Sequence, residues 1–143
     1  MLTHDWNKYN NSLVATGGVD KLLRIFDIRN PAGGPLSVMA GHGYAVRRLA
    51  WSPHEENVLI SASYDMTVRV WADGLQRKFP HPVSSEAPPQ GGGAARQLGL
   101  MNRHTEFATG VDWCLFGEGW VASAGWDERV LLWDAKPFLL NSR

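Results

Sequence analysis

Along this chain apolar residues come in short runs, rich in β-branched and aromatic side chains and bounded by turn-forming residues. Such runs suit strands, because branched and aromatic side chains pack well on a pleated surface. They predict strands at Leu13–Thr16, Leu22–Phe26, Val46–Trp51, Val58–Ser63, Thr67–Trp71, Gly110–Leu115, Trp120–Ala124 and Arg129–Trp133, with an outer strand near Gln97–Met101. No segment holds a sustained 3.6-residue apolar period, so helices are not expected. The pattern breaks between Asp73 and Ala95, where Pro80, Pro82, Pro88, Pro89 and Gly91–Gly93 cluster. Proline donates no ladder hydrogen bond and glycine has no side chain to pack. At this density they predict a flexible surface loop inside a structural unit rather than a linker between domains.

The runs repeat. With Asp20, Asp65 and Asp127 as origins, a tryptophan stands fourteen residues before each (Trp6, Trp51, Trp113), a hydroxyl four before (Thr16, Ser61, Ser123) and an aromatic ring six after (Phe26, Trp71, Trp133). His42 and His104 stand twenty-three residues before the second and third origins; for the first, that position precedes Met1. The first two origins are 45 residues apart and the next two 62, the longer gap containing the insert. A period of about 40–45 residues with four short antiparallel strands describes a β-propeller blade. The expected fold is all-β, with about three four-stranded antiparallel blades at 1–39, 40–101 (with the insert at 73–95) and 102–143.

The strings Gly41-His42, Ser63–Trp71 (SYDMTVRVW) and Gly125–Asp134 (GWDERVLLWD) resemble WD40 repeats. That resemblance implies a hydrogen-bonded tetrad within a blade: His42, Ser61, Asp65 and Trp71 in the second, His104, Ser123, Asp127 and Trp133 in the third. The residue types suit the task. An aspartate in a tight turn accepts from backbone N–H groups and an imidazole, the second imidazole nitrogen meets the hydroxyl, and the indole N–H donates to that hydroxyl. His, Asp and Ser also spell a nucleophilic triad. The set recurs in two blades at identical spacing, however, and a duplicated active site is a poor explanation of that. Phe26 stands where the first unit needs an indole, and it has no N–H to donate.

Composition narrows the chemistry further. Apolar residues make up 44% and charged residues 20%, which suits a chain that forms a core. Lys plus Arg and Asp plus Glu number 14 each, so nothing points to nucleic acid or an anionic membrane as partner. No apolar run approaches the roughly 20 residues a spanning helix needs, so direct membrane insertion is not expected. The polar start, Met1–Asn10, lacks a signal-peptide core. His4, His42, His54, His81 and His104 show no close pairing, so no metal is expected. No phosphate-cradling glycine pattern precedes a helix, so no cofactor is expected either. The single cysteine, Cys114, allows no internal disulfide; its apolar neighbourhood reads as that of a buried structural thiol in a reducing compartment.

Three longer strings are more specific. His4–Asn30, Gly41–Trp71 and His104–Trp113, with DWNKYN, GYAVRR, SYDMTVR and HTEFATG inside or beside them, resemble the C-terminal blades of the peroxin-7 family, the receptors for the type 2 peroxisomal targeting signal. The resemblance implies a cytoplasmic carrier, cycling to the peroxisome matrix, that binds an N-terminal nonapeptide on cargo proteins together with an import co-receptor and docking proteins. By analogy with propeller tops, Tyr44 and Glu106 (two residues after each histidine) and Val19, Tyr64 and Trp126 (one before each aspartate) are the peptide-binding candidates. The family's signal carries a basic residue near its start and apolar positions after it. Glu106 is the candidate for that charge, and Tyr64 and Trp126 for apolar contact; the bland alternative is that they pack the blade tops or pair with Arg47 and Arg48. Phe107 reads as blade core. A scaffold of another pathway, such as a cullin ubiquitin ligase substrate receptor (Phe26–Arg29 approximates its box) or a histone-tail binder, is the alternative function, and catalysis is not expected. Three blades where a closed ring takes at least about four make a fragment of a seven-bladed parent the expected status of the chain.

Overall fold

The computed structural model describes residues 1–75 and 94–140. The insert expected at 73–95 therefore falls almost wholly outside the described residues. Eleven strands are present among them: β1 (Thr3–Trp6), β2 (Leu13–Gly17), β3 (Leu23–Asp27), β4 (Ser37–Met39), β5 (Val46–Trp51), β6 (Val58–Ser63), β7 (Val68–Ala72), β8 (Arg96–Met101), β9 (Ala108–Trp113), β10 (Trp120–Gly125) and β11 (Val130–Asp134). They form three antiparallel sheets ordered β1-β2-β3-β4, β5-β6-β7-β8 and β9-β10-β11. The fold is all-β. The third sheet differs from the expected four strands in having three among the described residues. The runs read from sequence lie on the observed strands within one or two residues; β1 and β4 escaped because they are short and, in β1, polar.

Two buried clusters hold the sheets together. Between the first and second lie Leu13, Leu23, Ile25 and Met39 against Leu49, Trp51, Leu59 and Trp71. Between the second and third lie Ile60, Val68, Val70 and Met101 against Val111, Trp113, Val121 and Trp133. The middle sheet is thus covered on both faces, and β6 is buried at all six positions. That is why Val58–Ser63 reads as a continuous run of apolar and small residues rather than an alternating one. In β2, with one covered face, burial alternates. β1, β5 and β9 converge, while β4 and β8 lie at the far edges of their sheets. The repeated tryptophans close these inner strands. Trp51 packs against the first sheet and Trp113 against the second, donating from Nε1 to the Ala50 carbonyl at 3.2 Å. Trp6 joins neither buried cluster and is 45% exposed.

Each unit makes the same turn after its origin aspartate. Lys21, Met66 and Glu128 all take left-handed backbone, with φ of 71°, 69° and 60°. A side chain there costs roughly 1–2 kcal/mol. The aspartate offsets it by accepting the N–H two residues on: Leu22 to Asp20 at 3.4 Å, Thr67 to Asp65 at 3.0 Å, Arg129 to Asp127 at 3.2 Å.

Two expectations are corrected. A single helical turn, α1 (Lys136–Leu139), follows β11, besides a 3₁₀ turn at Pro31–Gly33. Four residues cannot display a 3.6-residue period, so nothing in the pattern announced α1. Cys114 is exposed rather than buried. It is the first residue past β9, where the chain turns, and its Sγ accepts the Gly117 N–H at 3.2 Å. Among the described residues no helix is long and apolar enough to cross a membrane, and no three His, Cys, Asp or Glu side chains gather as a metal-binding group.

Candidate functional site

The second sheet contains one directional chain of hydrogen bonds. A carboxylate only accepts, so His42 Nδ1–H donates to Asp65 Oδ2 at 2.8 Å. Nε2 then accepts the Ser61 hydroxyl at 2.7 Å, and Ser61 Oγ in turn accepts Trp71 Nε1–H at 2.8 Å. The third sheet repeats the chain: His104 to Asp127 at 2.9 Å, His104 to Ser123 at 2.9 Å, Trp133 to Ser123 at 3.3 Å. Ser61 is 0% exposed and its oxygen is engaged on both sides, so no substrate carbonyl reaches it. The arrangement joins the strand-entry loop, two adjacent strands (β6 and β7, or β10 and β11) and the turn of one sheet.

The two aspartates are held as anions. Burial raises the Asp65 carboxyl, but the His42 imidazole, the Thr67 hydroxyl and the Gly43 N–H together outweigh it and hold the group far below the usual carboxylate range. Asp127 is likewise raised by burial and brought below the usual range by His104 and by the Thr105 and Arg129 N–H groups. In the first unit, where Phe26 stands in the indole column and no histidine pairs with the origin aspartate, Asp20 is lowered chiefly by Arg24, its ion-pair partner at 2.6 Å. Arg29, the charge at the end of the Phe26–Arg29 box, is tied to Asp27 in a two-pronged ion pair.

The five peptide-binding candidates do not form one group. Val19, 68% exposed, lies on the β2–β3 turn, on the first sheet. Tyr44, also exposed, faces Lys21, whose Nζ lies 6.0 Å from its ring centroid. Tyr64 and Trp126 do meet: their centroids are 6.5 Å apart across the joint between the second and third sheets. Phe107 is the third ring, 4.8 Å from Tyr64 and 5.0 Å from Trp126. Its assignment to the blade core is therefore corrected: it is half-buried among turn residues. The repeat carried a signal for this. Phe107 occupies the column held by Ala45 in the second unit, three residues after each histidine, and a ring in place of a methyl group marks a local role. Glu106 is exposed and makes no ion pair with Arg47 or Arg48 among the described residues.

The turns carrying these rings are fixed through the backbone. The Tyr64 N–H donates to the Ala45 carbonyl at 3.2 Å, and the Trp126 N–H to the Phe107 carbonyl at 2.9 Å. Gly125 permits the second approach, since a Cβ there would lie 2.6 Å from the Phe107 oxygen.

Comparison with known proteins places this architecture. The WD40 profile (WD domain, G-beta repeat) matches residues 33–72 and 96–134. The peroxisomal targeting signal 2 receptor of Saccharomyces cerevisiae is 38% identical over 93% of this chain and 40% of its own length. The receptor of the same name from Komagataella phaffii is 44% identical over 71% of the chain and 27% of its own length. Peroxisome biogenesis protein 7 of Arabidopsis thaliana is 39% identical over 69% of the chain and 26% of its own length. The chain thus spans two fifths or less of these relatives. Its three antiparallel sheets, the hydrogen-bonded His, Ser, Asp and Trp columns, and a profile match over more than half its residues lead to one statement: the chain belongs to the WD40 repeat family.

Proposed function

We propose that this chain is part of a receptor that binds cargo proteins through an N-terminal type 2 peroxisomal targeting signal. It works with an import co-receptor and docking proteins and moves between the cytoplasm and the peroxisome matrix. It binds peptide rather than nucleic acid, uses no metal or cofactor, and catalyses nothing. The observation that carries the reading is the run of relatives named for that signal in two yeasts, with a plant peroxisome biogenesis protein beside them. The turn residues support it. Glu106 offers an exposed carboxylate, with no ion pair among the described residues, to the signal's basic residue, Tyr64 and Trp126 offer apolar surface, and Tyr44 and Val19 are exposed on their own turns. Exposed aromatic residues and a few charges are what anchor interfaces.

Retention of the chain on an immobilised nonapeptide bearing the signal, with release by free peptide and no retention on its scrambled counterpart, is the expected result. Equal retention on both peptides, or on neither, overturns the reading.

A further inference from the structure

We infer that two copies of this chain join head to tail, the Trp6 indole of one entering the hollow on the open face of the other's third sheet. The contact is a further joint of the kind that holds β5 on the first sheet and β9 on the second. It uses none of the turn residues read as peptide-binding and does not rest on that reading.

Both joints within the chain are built from the same repeat columns. Toward the sheet before it, the second sheet presents Trp51, Leu59 and Trp71, and the third presents Trp113, Val121 and Trp133; all six are buried. In the first sheet those columns hold Trp6, Val14 and Phe26, and Trp6 is 45% exposed. Toward the sheet after it, the first sheet presents Leu13, Ala15 and Ile25, and the second presents Val58, Ile60 and Val70, again all buried. In the third sheet these columns hold Trp120, Ala122 and Leu132, which with Asp112 and Cys114 line a hollow of about 380 Å³. The hollow therefore lies where the second sheet receives Trp113 and the first receives Trp51. The two open faces of the chain are the two halves of one joint, each complementary to the other and not to itself. A contact between unlike faces is heterologous, so it joins copies head to tail.

Polar contacts point to the same occupant. Across the second joint Trp113 donates from Nε1 to the Ala50 carbonyl at 3.2 Å, and across the first the Trp51 N–H donates to Asp5 Oδ2 at 2.9 Å. Asp112 stands in the column of both Ala50 and Asp5, at the wall of the hollow. Its carbonyl is the acceptor for Trp6 Nε1–H, and its carboxylate for the Trp6 N–H. Oδ1 already accepts the Trp113 N–H at 2.9 Å, which leaves the second oxygen for the incoming strand. An indole buried in so apolar a hollow needs an acceptor for its N–H. An aliphatic side chain would leave the Asp112 acceptors unused; a tryptophan on a strand uses both.

The test is sedimentation velocity on the full chain with two variants blocked at opposite ends. Trp6→Lys removes the entering ring, and Leu132→Lys puts a charge in the hollow; neither residue belongs to a buried cluster. Each variant alone is expected to be monomeric at concentrations where the parent chain associates. Their equimolar mixture is expected to form a dimer of twice the chain mass and nothing larger, because each supplies the half the other has lost. Cys114, exposed at the hollow, locates the contact. Its reaction with a bulky maleimide in the Trp6→Lys chain should slow severalfold when an excess of the Leu132→Lys chain, itself carrying Cys114→Ser, is added. If either variant melts early, Trp6→Ala or Ala122→Lys takes its place. A mixture that stays monomeric, a single variant that associates as the parent does, or a parent that is monomeric at every concentration overturns the head-to-tail contact.

Discussion

Ser61 Oγ sits between an imidazole that takes its proton and an indole that donates to it. Alanine at that position strands two buried polar groups at once, and each unsatisfied group costs about 1–3 kcal/mol. Ser61→Ala is expected to lower stability by about 2–6 kcal/mol on this basis. Ser123→Ala should lower it less, because the Trp133 bond is longer, at 3.3 Å. Denaturant unfolding of the two variants checks the order; hydrolase activity abolished by Ser61→Ala alone would instead revive catalysis. The aspartates add a pH dependence. Asp65 and Asp127 have carboxyls lowered in the fold, so their contribution is complete above the unfolded aspartate value, about 3.9, and is lost as pH falls through the lower folded values. Thermal melts should therefore drop steeply below about pH 4, and Asp65→Asn, less stable at neutral pH, should drop less. These columns were legible in the sequence because hydrogen bonding ties residue type to repeat position. Cys114, judged by its apolar neighbours, and Phe107, read as blade core, were not, because their exposure is set by where β9 begins and ends.

Strands were legible to the extent that neighbouring sheets cover them. β6, enclosed on both faces, and β5, its inner neighbour, were readable to the residue; β11 is as apolar but is covered on one face only, burying Trp133 and leaving Val130 and Leu132 each 69% exposed. The helical turn α1 was invisible because its position comes from tertiary contacts. Gly99 in β8 lies under the Phe138 ring, and a Cβ at Gly99 would lie 2.2 Å from that ring. Phe138 also meets Trp133 edge-on at 6.4 Å, so α1 ties the third sheet to the outer strand of the second. Gly99→Val is expected to displace the ring and cost about 1–3 kcal/mol, as overpacking does. The pair Gly99→Val with Phe138→Ala should be less destabilised than the two single losses added together, since both remove the same contact. Additive losses in unfolding experiments would show that the ring stabilises nothing through β8.

At the scale of the molecule, the two joints between sheets are made alike, with an inner-strand tryptophan packed on the sheet before it, and the two end sheets each keep one open face. On the first sheet that face carries Trp6, Val14, Phe26 and Val38; Trp6 pairs with Val14 and Val14 with Phe26 across the strands. On the third it carries Trp120, Ala122, Val130 and Leu132, with a hollow lined by Trp113, Cys114, Trp120, Val121 and Leu132. Phe116, 97% exposed, follows β9 nearby. β11 also presents an edge with no strand beyond it among the described residues. Stacked repeats bury such faces against neighbours, and exposed apolar faces and strand edges drive association. The isolated chain is therefore expected to show a mass above that of a monomer by light scattering, rising with concentration. Leu132→Lys puts a charge in the open face without touching either buried cluster. It should move the distribution toward monomer and leave the melting temperature nearly unchanged. A monomer at every concentration in the parent would mean that the open faces are not sticky in water, and a Leu132→Lys chain that melts early would mean that this face contributes to folding of the single chain.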